Sequence, residues 1–290
     1  MSRQIVVVGR GAGLGAVLRA LRGLDVALTA IVTTARRVGP GGDHPDAIPR
    51  AEEELSRGLR ALADEREALA RVLARPLAID RLGRRPLGDY VLRSLTSGFG
   101  DLATASLWLG EQLGLPGAVL PAALTPLRYR VAEEDSPRSL AHTRLELLPA
   151  DPAVPDPLPV AIAAADGILL APGDKYAGPL LASIPALGQA MAAAHGQIVL
   201  VANLTPQADE PLDAHLALLG DYGLRVDAVL HDPAARLRWD AGSISGPQVA
   251  AIGAPLAGAR PDRHDPGLLR DALTGVLGLT AREPAGVRLR

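Results

Sequence analysis

Apolar positions in this chain gather in short runs separated by glycine, proline or charge. Ile5-Val6-Val7-Val8 is the first of them. A continuous apolar run of this length marks a strand buried on both faces, as parallel sheets require. Further runs of this kind predict strands at 26–33, 167–170, 197–201 and 226–230. Between them, apolar residues recur at helical spacing. Helices are predicted over 14–22, 87–97, 100–113, 178–194, Leu212–Leu219 and Leu268–Leu277, with Ala161–Ala165 ending a short one. Residues 50–74 read as one helix with Leu55, Leu59, Leu62, Leu69 and Val72 on its apolar face. Gly98-Phe99-Gly100-Asp101 breaks two helices, with Asp101 placed to cap the second. Val119–Leu124, Leu127–Val131 and His142–Leu148 are strand-like, with a hairpin turn at Glu133–Pro137. Residues 34–49 form a long loop, and 149–159, rich in proline, a surface connection. The alternation predicts a Rossmann-like three-layer α/β/α fold with a mainly parallel sheet and a small β excursion near 119–148. Residues 1–279 read as one domain and 280–290 as a loose tail.

Composition narrows this picture. Of the 290 residues, 48% are hydrophobic but only 2% aromatic, so the core is built from Leu, Val, Ile and Ala. A net charge of −2 gives no footprint for nucleic acid. The absence of cysteine excludes disulfides, thiolate metal sites and cysteine nucleophiles. The strand-like N-terminus carries no signal peptide, and no apolar run is long enough for a membrane span. The expected compartment is the cytoplasm.

Candidate chemistry sits at the ends of the predicted strands. The first strand leads into Gly9-Arg10-Gly11-Ala12-Gly13-Leu14-Gly15 and then a helix. That layout offers backbone N–H groups and a helix dipole to a phosphate. The dinucleotide pattern G-x-G-x-x-G fails from Gly9, because residue 14 is Leu. The second strand runs into Thr34-Ala35-Arg36-Arg37, with no acid to grip a ribose, so ordinary NAD binding is disfavoured. The Walker pattern also fails. A second strand-end loop is Pro172-Gly173-Asp174-Lys175-Tyr176. It contains the only lysine, placed to neutralise a phosphate, and a tyrosine placed to stack on a base or bond a sugar. Asp174 is placed to cap the following helix or to meet ligand. A third loop offers Asn203 and Thr205. The loops at 9–15 and 171–176 are expected to face each other across the sheet's ligand crevice. Histidines 44, 142, 195, 215, 231 and 264 show no metal spacing, and Ser94 and Thr96 lack a nucleophile elbow.

These pieces, in this order, resemble the family of the gluconeogenesis factor YvcK and the 2-phospho-L-lactate transferase CofD. The likeness is carried by Ile5–Gly15, Leu28–Thr33, Leu59–Asp64, Leu87-Gly88-Asp89-Tyr90, Gly100-Asp101, Val119-Leu120-Pro121, Ala165 through Pro185, and Asn203 through Gln207 with His215. The Pro-Gly-x-x-Tyr loop and the Asn…Thr…Gln segment favour the YvcK branch. The resemblance implies a Rossmann-like core with ligands at strand-end loops. For the YvcK branch it implies nucleotide-sugar binding and links to carbon metabolism, cell shape and cell-wall precursor control. For CofD it implies transfer of a phospholactyl group from a nucleotide diphosphate donor, with magnesium.

The sequence departs from the family where the metal would sit. Arg36-Arg37 stand in place of two aspartates, Glu53-Glu54-Leu55-Ser56-Arg57 in place of Gly-Asp-Ile-Arg-Asn, and Arg10 in place of a glycine. Paired carboxylates suit magnesium, whereas arginines suit phosphate directly. The binding residues expected for a nucleotide diphosphate are therefore Gly9, Arg10, Gly11, Ala12, Gly13, Arg36, Arg37, Gly88, Asp89, Pro172, Gly173, Lys175, Tyr176, Asn203 and Thr205, with Asp89 on a sugar. No catalytic residue and no metal ligand is assigned, and magnesium is not expected. The leading expectation is a nucleotide-sugar-binding regulator rather than an enzyme. A CofD-like transferase, an NADP-dependent oxidoreductase using Arg36 or Arg37, and a ligand-free scaffold stay open, as does a homodimer or a protein partner.

Overall fold

The computed structural model describes residues 2–38, 51–80, 83–132, 144–205, 211–235 and 249–282. In chain order the first half runs β1 (Arg3–Gly9), α1 (Gly11–Leu21), β2 (Val26–Val32), β3 (Arg36–Arg37), α2 (Ala51–Leu62), α3 (Ala68–Leu73), β4 (Pro76–Asp80), β5 (Gly83–Pro86), α4 (Leu87–Phe99), α5 (Leu102–Gln112) and β6 (Gly117–Pro121). It continues through β7 (Arg128–Ala132), β8 (Arg144–Leu148), α6 (Pro157–Ala163), β9 (Gly167–Leu170), α7 (Ala177–Ser183), α8 (Pro185–Ala193), β10 (Gln197–Val201), α9 (Leu212–Asp221), β11 (Ala228–His231), β12 (Ala250–Gly253) and α10 (Pro266–Leu277).

Seven strands form one parallel sheet in the order β12-β11-β10-β9-β1-β2-β6. The order reverses between β1 and β9, and ligands of such sheets collect at the carboxyl ends of the strands flanking that point. The loops after β1 and β9 are the two whose residues were singled out first. The buried runs have their physical reason in the two cores. Ile5 and Val7 face one core with Leu14 and Leu18 of α1, Leu55 and Leu59 of α2, and Leu269 and Leu273 of α10. Val6 and Val8 face the other, with Leu158, Leu180, Leu187 and Leu216 from α6 to α9. A strand with apolar neighbours above and below has no use for alternation. The predicted three-layer α/β/α fold is thus the observed one. The β excursion is real, though β6 belongs to the main sheet. β7 and β8 pair antiparallel and join β3 in a separate three-stranded sheet.

Several boundaries differ from the sequence reading. The helix expected over 50–74 is two helices, α2 and α3, separated by a turn in which Asp64 accepts the Arg66 N–H at 3.0 Å. The break shifts the helical phase, so Leu69 and Val72 face outward, while Ala70 and Leu73 are buried. The helix expected over 178–194 divides at Pro185, which forces the extended backbone of Ile184 and opens α8. The hairpin β4–β5 was not foreseen, nor was β12. Asp101 caps α5 as expected, accepting the Thr104 N–H at 2.8 Å. The start of the presumed loose tail is tied down: Asp25 N–H donates to Thr280 O at 2.9 Å, and Arg282 N–H to Gly23 O at 3.0 Å. The turn at 133–137, most of the 34–49 loop, Gln207, His44, His142 and residues 283–290 lie outside the described residues. Among the described residues no helix is long and apolar enough to cross a membrane.

Candidate functional site

The glycine loop is built by contact with its neighbour after β9. A Cβ on Gly9 would stand 2.8 Å from the Ala171 side chain, and one on Gly13 only 1.7 Å from the Pro172 carbonyl oxygen. The loops at 9–15 and 171–176 therefore pack directly on each other rather than facing across a gap. Gly11 has φ +69, a conformation that L side chains rarely adopt. It opens α1 by the left-handed entry of the chain. Arg10 lies across the junction. Its guanidinium pairs with Asp174 and donates to Ala35 O at 3.3 Å. Asp174 in turn accepts the Tyr176 N–H at 3.0 Å.

On one side of this junction opens a cleft of about 580 Å³. Ala12 and Gly13 of the α1 first turn, Pro172, Gly173, Asn203 and Thr205 line it, so six residues singled out in the sequence come together there. The Asn203 side-chain amide donates to Gly173 O at 3.1 Å and fixes the third loop to the second. The cleft also holds residues that the sequence did not flag. Arg19 enters from α1, Arg57 from α2, and Asp262, Arg263 and His264 from the segment before α10. Burial lowers the Arg19 guanidinium below its ordinary value, with Glu65 opposing, but such a group stays cationic at neutral pH. Burial also lowers His264 below the usual imidazole value, against the opposing bond to Ala202. Its Nε2 lies 3.0 Å from Ala202 O. Arg57 was legible only as a replacement within the α2 segment. Arg263 and His264 had no motif around them.

The α1 N-terminus is shared. The Gly11 N–H donates to Glu54 Oε2 at 2.7 Å. Ala12 and Gly13, next along the turn, line the cleft.

The remaining candidates sit elsewhere. Arg36 and Arg37 form β3 beside Arg128 and Tyr129. Tyr129 is buried against the Tyr176 ring, with centroids 5.9 Å apart. Burial, reinforced by Asp174 and opposed by Arg10 and Arg37, pushes its hydroxyl up to about 12. The Lys175 ammonium lies over the Tyr176 ring at 5.1 Å. This group of Arg10, Arg36, Arg37, Asp174, Lys175 and Tyr176 lies outside the cleft lining. Asp89 is also absent from that lining: it pairs with Arg60 at 2.8 Å, and Arg60 also bonds Ser56 at 2.6 Å. Gly88 gives that contact room, since its Cβ would stand 2.9 Å from Ser56 Oγ.

The sequence and the fold resemble those of known proteins. The family described as 2-phospho-L-lactate transferase CofD matches residues 5–232. The "Putative gluconeogenesis factor" of Mycobacterium tuberculosis (strain ATCC 25618 / H37Rv) is 30% identical, covering 95% of this chain and 91% of its own. The "Gluconeogenesis factor" of Bacillus subtilis (strain 168) is 29% identical, covering 72% of this chain and 70% of its own. A crystal structure of a UPF0052-family protein from Bacillus halodurans superposes with a TM-score of 0.79 at 24% identity, covering 94% of this chain and 99% of that one. This last likeness concerns the fold. The cleft residues Asp262, Arg263 and His264 lie beyond the matched 5–232.

Proposed function

Because the chain belongs to the family of CofD transferases and gluconeogenesis factors, we propose that it binds a nucleotide sugar and acts as a regulatory protein linked to carbon metabolism, cell shape and cell-wall precursor control. The observation carrying this reading is the cleft at the switch point. Two residues of the α1 first turn, Ala12 and Gly13, and three arginines, Arg19, Arg57 and Arg263, line it. Helix amides and guanidinium groups both favour phosphate oxygens, and guanidinium can bond them in pairs. Asn203, Thr205 and His264 supply neutral polar groups for a sugar or base.

Magnesium, implied by the transferase branch, does not suit this donor set. Among the described residues, the carboxylate lining the cleft is Asp262, whose side chain is 55% exposed and 3.4 Å from Arg260. A hard divalent cation takes several oxygen ligands, and here the neighbouring charges are cations. The diphosphate is held by arginine and backbone instead.

Isothermal titration with UDP-N-acetylglucosamine, GDP and NADP, with and without EDTA, tests the reading. A UDP-sugar should bind equally well with the chelator present. Arg57→Ala should weaken it about tenfold or more, the scale of one charge-assisted phosphate contact. No nucleotide binding up to millimolar concentration would overturn the proposal. The family's transferase members support a second reading, phospholactyl transfer. Product formation from a deazaflavin acceptor with magnesium would establish it in place of the first.

A further inference from the structure

The α1 N-terminus already holds an anion of the protein's own. Glu54 is only 6% exposed. Its Oε2 accepts the Gly11 N–H at 2.7 Å, and its Oε1 lies 3.6 Å from Arg57 Nη1. Leu55 and Leu59, on the same helix, are fully buried, so Glu54 cannot withdraw to solvent without moving α2. A negative charge thus stands directly behind the turn whose next two residues, Ala12 and Gly13, line the cleft. It also holds Arg57 at the cleft's edge.

This carboxylate weakens the positive field that the helix dipole and arginines create. The penalty depends on the charge of the ligand. A terminal phosphomonoester carries close to two negative charges at neutral pH, because its second ionisation lies near 6. A phosphate esterified on both sides carries one. Repulsion scales with that charge.

We propose that Glu54 is a specificity-determining residue that shifts the cleft's preference away from the terminal phosphate of a free nucleotide and toward the internal diphosphate of a nucleotide sugar. The proposal rests on the nucleotide-sugar reading above and adds the chemical form of the phosphate. The Gly11 bond alone would need only an acceptor oxygen, which an amide also provides. The charge is the feature that discriminates.

The test compares UDP with its β-methyl ester, which removes one charge without adding a sugar. Isothermal titration of the wild-type protein gives the ratio of UDP affinity to ester affinity. Glu54→Gln keeps the acceptor for Gly11 and removes the charge. The ratio should rise at least about fivefold in the variant, because the doubly charged terminal phosphate is relieved of more repulsion than the singly charged ester. Thermal unfolding checks that the variant is folded. A Glu54→Gln protein that keeps the wild-type ratio overturns the proposal. If neither uridine ligand binds, pyrophosphate and its methyl ester replace them. The same rise in ratio with these probes keeps the charge filter while the nucleotide-sugar reading falls. An unchanged ratio, or no binding, overturns the filter as well.

Discussion

Gly13 shows how a residue can be conspicuous in a sequence for one reason and required in the fold for another. In the sequence it belongs to a glycine loop suited to phosphate. In the structure its missing side chain is demanded by the Pro172 carbonyl, 1.7 Å from where a Cβ would be. Gly13→Ala must force the two loops apart. We expect a loss of about 2–3 kcal/mol in urea unfolding, as for other overpacked interior sites. Gly11, whose Cβ would meet only Arg57 Nη1 at an ordinary 3.8 Å, requires glycine for its φ of +69. Arg10 and Asp174 were legible as charges at the right strand ends, but not as partners. Ion pairs across a junction depend on two loops meeting, and no local pattern records that. For the same reason Glu54, one acid in a charged stretch, gave no sign that it would accept a bond from the glycine loop forty-three residues earlier.

Elements were more legible than side chains, for a physical reason. Past their polar first residues β1 and β10, like β9 throughout, are buried on both faces, so these runs are apolar and their positions could be read directly. Helices were found wherever one face stayed in phase. They were misjudged where a proline or a short turn reset the phase, as at Pro185 and between α2 and α3. The hairpin β4–β5 lacks both signals, since its strands include Pro76, Arg84, Arg85 and Pro86. Its Arg85 is anchored to α2 by an ion pair with Glu53. A second tie links α2 to α4, the Arg60–Asp89 pair, whose side chains are 18% and 9% exposed. Removing the acid leaves a largely buried guanidinium without its counter-charge. Asp89→Ala should therefore lower stability by about 2–3 kcal/mol in denaturant unfolding. Because Asp89 does not line the cleft, nucleotide affinity measured on the folded variant should change less than twofold.

At the scale of the whole molecule, the cleft depends on segments from both halves of the sheet and from the chain's last helix region. His264 joins that last region to the end of β10 through Ala202. Its folded value is lowered from 6.5, chiefly by burial. Between the lowered value and 6.5 the unfolded chain binds the extra proton, so this group's contribution is intact above about pH 6.5 and weakens as pH falls. Asp232 lies close by and is also lowered. Burial pushes it up, but bonds from the Leu256, Ala234 and Ala257 amides outweigh that. Its contribution is present above 3.8 and is lost only as pH falls through the lower folded value. The two windows are separate. Urea midpoints of the wild-type protein should drop between pH 7 and pH 5, and His264→Gln should flatten that slope. An equal slope in the variant would assign it to other groups.

The closing of the chain on its beginning has a consequence for how the protein is made. Leu269, Leu273 and Leu277 of α10 are 0–3% exposed in the same core as α1. Arg270 Nε donates to Ala20 O at 2.9 Å, capping the carbonyl end of the first helix with a residue from the last. β1 and α1 are made long before α10. α2 covers part of their apolar face, but the part that α10 packs against stays open until residues 266–277 have been synthesised. The cleft lining is likewise complete only once Pro266 has been added.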